Sequence, residues 1–358
     1  MATAIRTSVT PDLSRGLLLV LIAVANVHLY LVARPIGFRG YPSGLTGGDR
    51  VLALVQMVLV DGRVYPLFAA LVGFGLVQLA RRAPESVLRR RGLVLLGIGA
   101  LHGLLLFPGD VIGAYGLVIV LIAPAVSNDG RGAFSSRALL VVAGLLALLG
   151  LVMSSGQGLP QGGLSEPSIG APTFVAALAI HPHEWLNTTL VSALLTAPAV
   201  LAGVVIARSG VLTDPVAYRR RLTLWAVAGL VAGVALGLPL ALAVAGWYRP
   251  SAAVAGLVGA AHTAGGYAGA LGLLGVMGLL GSVHWPGRGL VAAAGTWSMT
   301  LYLSQSVVFT VLLASFAGGW GERIGLGTAS VIALVTWLVG VLVAGLLARA
   351  GHRGPAEL

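Results

Sequence analysis

Ten stretches of this chain are apolar and long enough to cross a bilayer, which leaves little room for any other fold. They are residues 16–34, 64–80, 92–108, 111–126, 138–154, 186–207, 222–245, 263–283, 290–316 and 326–348. A hydrocarbon core about 30 Å thick takes a helix of roughly 20 apolar residues. Inside it every backbone amide and carbonyl needs an internal partner, which a helix supplies. The expected fold is therefore all-α: one transmembrane domain over residues 1–358, a polytopic bundle of about ten helices. Composition agrees, with 57% hydrophobic and 9% charged residues. Soluble domains carry about 25% charged residues. The 52 glycines read as helix-packing surfaces, because small residues let backbones approach closely in lipid. Segments 50–60 and 251–262 are apolar but too short to span alone, so they are expected to be interfacial, re-entrant or extensions of the next helix. A long outer loop, about 155–185, is rich in Gly, Pro and Ser and is expected to be irregular.

Arginine fixes the expected orientation. All 22 basic residues are arginine. With both termini in the cytoplasm, six fall outside (Arg34, Arg39, Arg50, Arg63, Arg249 and Arg323) and sixteen inside. That asymmetry follows the positive-inside rule, and an odd number of spans would spoil it. The net charge of +11 thus reads as topology and attraction to anionic membrane lipids, not as a nucleic-acid surface. A bacterial cytoplasmic (inner) membrane is the expected location. The chain has no cysteine, which excludes disulfides and thiolate catalysis, and the absence of lysine excludes a Schiff base.

Polar groups at membrane depth are costly and mark candidate sites. Asp12, Arg15 and Asn26 share one face of the first helix, since eleven residues at 100° each return near the same direction. Asp12 and Arg15 can pair at i, i+3. His28 points elsewhere. His102 lies near mid-membrane on a face with Gly92, Gly99 and Gly103, and Asp110 follows a Pro108-Gly109 turn. A histidine oriented by a carboxylate suits general-base work, the alternative is a buried histidine bonded to a backbone carbonyl, and sequence does not decide whether Asp110 reaches it. Asp61 and Arg63 are expected at the outer edge, as a surface pair or a cavity mouth. Tyr115 is either packed or donates to substrate. Ser298, Tyr302 and Gln305, at i, i+4 and i+7, form a polar stripe that can bridge helices or line a cavity. His181-Pro182-His183-Glu184-Trp185 superficially suggests a metal site, but the proline spoils helical ligand spacing, so a loop with Trp185 at the interface is expected. No metal site is assigned. The Arg81–Arg91 cluster is either an ordinary cytoplasmic loop or a dock for a phosphorylated molecule. No Walker A, dinucleotide or HExxH motif is present.

Five ordered stretches resemble the YeiB-like family of bacterial membrane proteins. They are Asp12-Leu-Ser-Arg15-Gly16 with Asn26; Val60-Asp61-Gly62-Arg63 with Leu67-Phe68 and Gly73-Phe74-Gly75; Arg90-Arg91, Gly99-Ala-Leu-His102, Gly109-Asp110 and Tyr115; Gly295, Ser298, Thr300, Tyr302, Gln305 and Ser306; and Gly354-Pro355-Ala356-Glu357. The family motifs fall within about 10–130 and within a C-terminal region of about 186–358. Thr296 and Leu301 replace the basic residue and the asparagine of the family pattern. The family is largely of unknown function and is distantly similar to transmembrane acyltransferases, including the heparan glucosaminide N-acetyltransferase group. That resemblance implies transfer from cytoplasmic acyl-CoA, as a co-substrate and not a tightly bound cofactor, to a small-molecule, sugar or lipid acceptor. His102 and Asp110 would be catalytic. Arg15, Asn26, Asp61, Arg63, Tyr115, Ser298, Tyr302 and Gln305 would bind substrate. A small-metabolite transporter and a non-catalytic membrane subunit are the alternatives.

Overall fold

The computed structural model describes residues 10–32, 34–127, 134–158 and 166–357. Arg6 and Arg131 of the arginine pattern lie outside them. Among the described residues are twelve α-helices and no strand beyond a single Ile36–Pro42 bridge. The helices are α1 (Thr10–Val27), α2 (Gly47–Leu59), α3 (Val64–Ala80), α4 (Glu85–Leu105), α5 (Ile112–Val126) and α6 (Ser136–Ser154). Then come α7 (Phe174–Ser209), α8 (Arg219–Val244), α9 (Ala252–Gly281), α10 (Arg288–Thr296), α11 (Ser298–Leu313) and α12 (Leu326–Arg349).

The all-α helical bundle expected from sequence is what forms. Each of the ten apolar stretches contains a helix or a bent helix pair. Among the described residues seven segments are long and apolar enough to cross a membrane, or eight if α10 and α11 count as one span. That pair bends by 84° at Trp297. The two stretches below this measure have plain reasons: α4 starts on Glu85 and the Arg89–Arg91 run, and α5 has only 15 residues. The short segment 50–60 lies in α2, which runs on through a break at Val60–Arg63, where Gly62 adopts φ 74°, into α3 as one 34-residue segment, Gly47–Ala80. Segment 251–262 extends into α9 without a break.

Two loop expectations are corrected. The outer loop ends at residue 173, because α7 begins at Phe174 under a Thr173 side-chain cap. Pro182 therefore lies inside a helix, and His181 to Trp185 are helical. The Trp185 indole packs against α4, where a Cβ on Gly103 would be.

Glycine sets the closest crossings, as expected for packing in lipid. On α8, Gly229 and Gly233 face Gly272 and Gly269 of α9 backbone to backbone. On α4, a Cβ at Gly99 would overlap the Gly113 amide of α5. Gly295 of α10 meets the Asp12 carbonyl of α1 in the same way. The outer faces carry exposed leucines and valines, such as Leu145, Leu148 and Val152 on α6 and Val335, Leu338 and Val339 on α12. Apolar side chains left open in this way are suited to lipid, not water.

Candidate functional site

The three polar residues on one face of α1 all line a single cavity of about 850 Å³ within the bundle. The cavity follows α1 from Asp12 to Leu29, about 25 Å at 1.5 Å per residue. Its volume lies within the range of small-molecule sites, roughly 300–1,000 Å³.

One end is rich in arginine. Arg15, Arg82 and Arg91 line it together with Ser298 and Glu357. Arg15 bonds Asp12 at 3.1 Å, and both side chains remain partly exposed. Glu357, near the chain's end, accepts the Met299 and Thr300 amides at 3.0 and 3.1 Å. It thereby caps the start of α11, where free amides and the helix dipole favour an anion. Burial pushes the Glu357 carboxyl up, against the two amides and Arg15, which favour its charge.

Aromatic residues form the waist. Tyr115 donates to the Tyr65 carbonyl at 3.1 Å and stacks on Phe68. Among the described residues no group meets full hydrogen-bond geometry with the Tyr302 hydroxyl, although the Val111 amide points toward it. Behind Tyr302 lies a formed histidine–carboxylate pair. His102 Nδ1 is 2.8 Å from Asp110 Oδ1, and Asp110 Oδ2 accepts the Gly113 amide at 2.7 Å. Both residues are buried, and among the described residues His102 Nε2 has no hydrogen-bond partner. The close α4–α5 crossing at Gly99 makes this contact possible. His102 is not part of the cavity wall. Its ring sits 5.3 Å, centroid to centroid, from that of Tyr302, which is.

The far end holds a buried charge network. Asp61 Oδ1 accepts Arg39 Nη2 at 2.6 Å and Arg39 Nε at 3.1 Å, and His262 Nε2 is 3.4 Å away. His28 Nε2 lies 3.2 Å from the Arg39 carbonyl, and its ring stacks on Tyr41. Arg39 holds φ 58°, an uncommon conformation for a residue with a Cβ, which typically costs of order 1–3 kcal/mol and needs surrounding structure to enforce it. Arg39, Asp61, Asn26 and Glu166 all line the cavity here.

Several expected positions are corrected by this geometry. Asp61 and Arg63 are buried and do not form a surface pair. Arg63 is outside the cavity wall and is held by carbonyls, donating to Met57, Asp61 and Gly233 at 2.6–2.9 Å. Gln305 is also outside the wall, and its amide bridges to the Leu19 carbonyl at 3.3 Å. Arg15, Asn26, Asp61, Tyr115, Ser298 and Tyr302 do line the cavity. Arg39, His262 and Glu166 were not singled out by sequence. Only His262 had a hint, an ionisable side chain within an apolar stretch; Arg39 and Glu166 lie in loops with Gly, Pro or Ser neighbours. Among the described residues no group of three or more His, Asp or Glu is placed to hold a metal ion.

Fold and site together define a polytopic helical membrane protein with a polar cavity along its bundle axis. Comparison with known proteins places it more narrowly. Residues 206–358 match the family described as "Protein of unknown function (DUF418)". The chain is also similar to the "Uncharacterized protein YeiB" of Escherichia coli (strain K12), 30% identical over 157 residues. That match covers 41% of this chain and 40% of the relative. The C-terminal region is thus similar to the DUF418 family, the chain spans less than half the length of the relative it matches, and both matches support the YeiB-like resemblance read from the sequence.

Proposed function

We propose that the protein transfers an acyl group across the membrane, from a phosphorylated thioester such as acyl-CoA to an acceptor at the far end of the cavity. The observation that carries this reading is the single cavity joining an arginine-lined end to an end built from Asn26, Asp61 and Glu166. The arginine bias assigns the first end to the cytoplasm, where acyl thioesters are made. Arg15, Arg82 and Arg91 would bind the donor phosphates, as guanidinium groups bind phosphate with paired hydrogen bonds. The thioester would then reach the waist at Tyr302 and Tyr115.

The His102–Asp110 pair supplies the proton chemistry. Asp110 orients the ring so that the unpartnered Nε2 can act as base. Tyr302 lines the cavity and packs its ring against His102 without a hydrogen bond to Nε2, so its hydroxyl would relay the proton through one intervening water. The acceptor's hydroxyl or amine attacks the thioester carbonyl and its proton passes through Tyr302 to Nε2. The C–S bond breaks, a C–O or C–N bond forms, and the thiolate takes the proton back. The acceptor is a small molecule, a sugar or a lipid headgroup.

The test is purified protein in detergent with acetyl-labelled acetyl-CoA and a panel of hydroxyl and amine acceptors, including lipids and sugars. Label on an acceptor or on the protein, with release of free CoA, is expected. No label on either, across the panel, overturns the reading. The cavity's length also favours a second reading, passage of a small metabolite. Its signature is solute exchange across proteoliposomes without thioester cleavage.

A further inference from the structure

Glu166 is a buried ionisable group in the cavity to which the proposed reaction assigns no chemical step. Residues 166–170 form a short turn docked onto the far end of the bundle. The Ser168 amide and hydroxyl donate to the two Glu184 oxygens of α7 at 3.1 and 2.5 Å, and the Ser315 amide donates to the Ile169 carbonyl at 3.0 Å. The turn is thereby fixed, and Glu166 is 5% exposed and lines the cavity. Among the described residues no group hydrogen-bonds its carboxyl. Glu184, already satisfied by Ser168, is the charged neighbour that acts on it. Tyr30 faces it from the end of α1, and Gly109 and Phe107 face it from the α4–α5 turn. Arg39 and Asp61 belong to the same end of the cavity but are engaged with each other.

We propose that Glu166, backed by Glu184 and lining the cavity, is a binding site for an organic ammonium group. A buried carboxyl without a donor, next to a second carboxylate, has an unmet need for a cation. An ammonium supplies both the single positive charge and the N–H donors that this carboxyl lacks. A hard divalent ion is the poorer fit, since it takes six or more oxygen ligands and only two carboxyls converge here. Taken with the transfer reading, on which this step alone rests, the ammonium belongs to the acceptor.

The site has a distinctive pH signature. Burial, and then the Glu184 charge, push the Glu166 carboxyl up to about 8, so it is neutral at pH 7. Binding a cation requires the carboxylate, so binding must release a proton below that value and affinity must rise with pH. The experiment titrates ethylamine into the full-length protein in detergent by calorimetry, in buffers of differing ionisation enthalpy, with acetamide as the neutral control. Affinity should rise about tenfold from pH 6 to 7 and level off above about 8, with close to one proton released per ethylamine at pH 6.5. Glu166→Gln, isosteric with the neutral acid, should lose the proton release and the pH dependence together. No binding of ethylamine, binding without proton release, or unchanged release in E166Q overturns the proposal. Ethylamine binding of this kind in a protein that transfers no acetyl group sinks the reaction and leaves the ammonium site standing.

Discussion

The two ends of the cavity solve the problem of charge in a membrane protein in opposite ways. At the arginine-rich end the ions are partly exposed, and Arg15 holds Asp12 in a simple i, i+3 pair. Such pairs contribute about 0–1 kcal/mol, so their charges are free to exchange partners with a ligand. At the far end Arg39, Asp61, Arg63 and His262 are all buried and tied to one another or to backbone carbonyls. Breaking one member of such a network strands the others. One end offers charges that can change partners; the other sets fixed ion pairs as a frame around the cavity.

The contrast is broken most forcefully at Asp61. Replacing it with alanine leaves Arg39 charged and buried in a strained conformation, and should cost about 3–5 kcal/mol of stability. Asp12→Ala should cost under about 1 kcal/mol. Unfolding in detergent compares them directly, and equal losses would erase the distinction between the ends. At the waist, His102→Asn should lower acyl transfer about 10²–10⁴-fold while the cavity still binds donor. Unchanged turnover would remove His102 from the chemistry. Gly99→Val should separate α4 from α5 and destabilise by about 1–3 kcal/mol, by forcing a side chain against the Gly113 amide. Infrared or NMR signals of the His102 ring should report loss of its Asp110 partner. The smallest effect on stability is at Arg15→Ala, where folding should change by under about 1 kcal/mol. Donor affinity should fall about tenfold, more at low salt than at high salt, because exposed charges are screened. A fall in stability larger than the fall in binding would mean that this end is structural too.

Sequence carried the architecture because the bilayer imposes a length and a polarity that any stretch of about 20 residues must show. It carried one wall of the cavity because α1 is a regular helix, so Asp12, Arg15 and Asn26 could be placed on one face by rotation alone. The far end had no such periodicity to read. Arg39 lies in the loop before α2 and reaches Asp61 across 22 residues, while His262 arrives from 201 residues away. Glu166 sits in a turn positioned by Glu184, whose helix begins earlier than its proline pattern suggested. Pro182 was read as a break, but α7 continues through it, as helices packed in a bundle often do. For His102 and Asp110 the residues were legible and the contact was not. Their distance depends on a glycine crossing, which a linear sequence states only as a permitted approach.

The Glu357 cap on α11 has a consequence for how the protein is made. The amides of Met299 and Thr300 emerge from the ribosome 57–58 residues before the carboxylate that receives them. At about 5–20 residues per second, the start of α11 waits roughly 3–12 s without its partner. During that interval the arginine-lined mouth lacks one of its walls, and an anion from the cell is the natural temporary occupant. Closing the mouth is therefore a late event in biogenesis, and a stalled or shortened chain should insert in the membrane with that door still open.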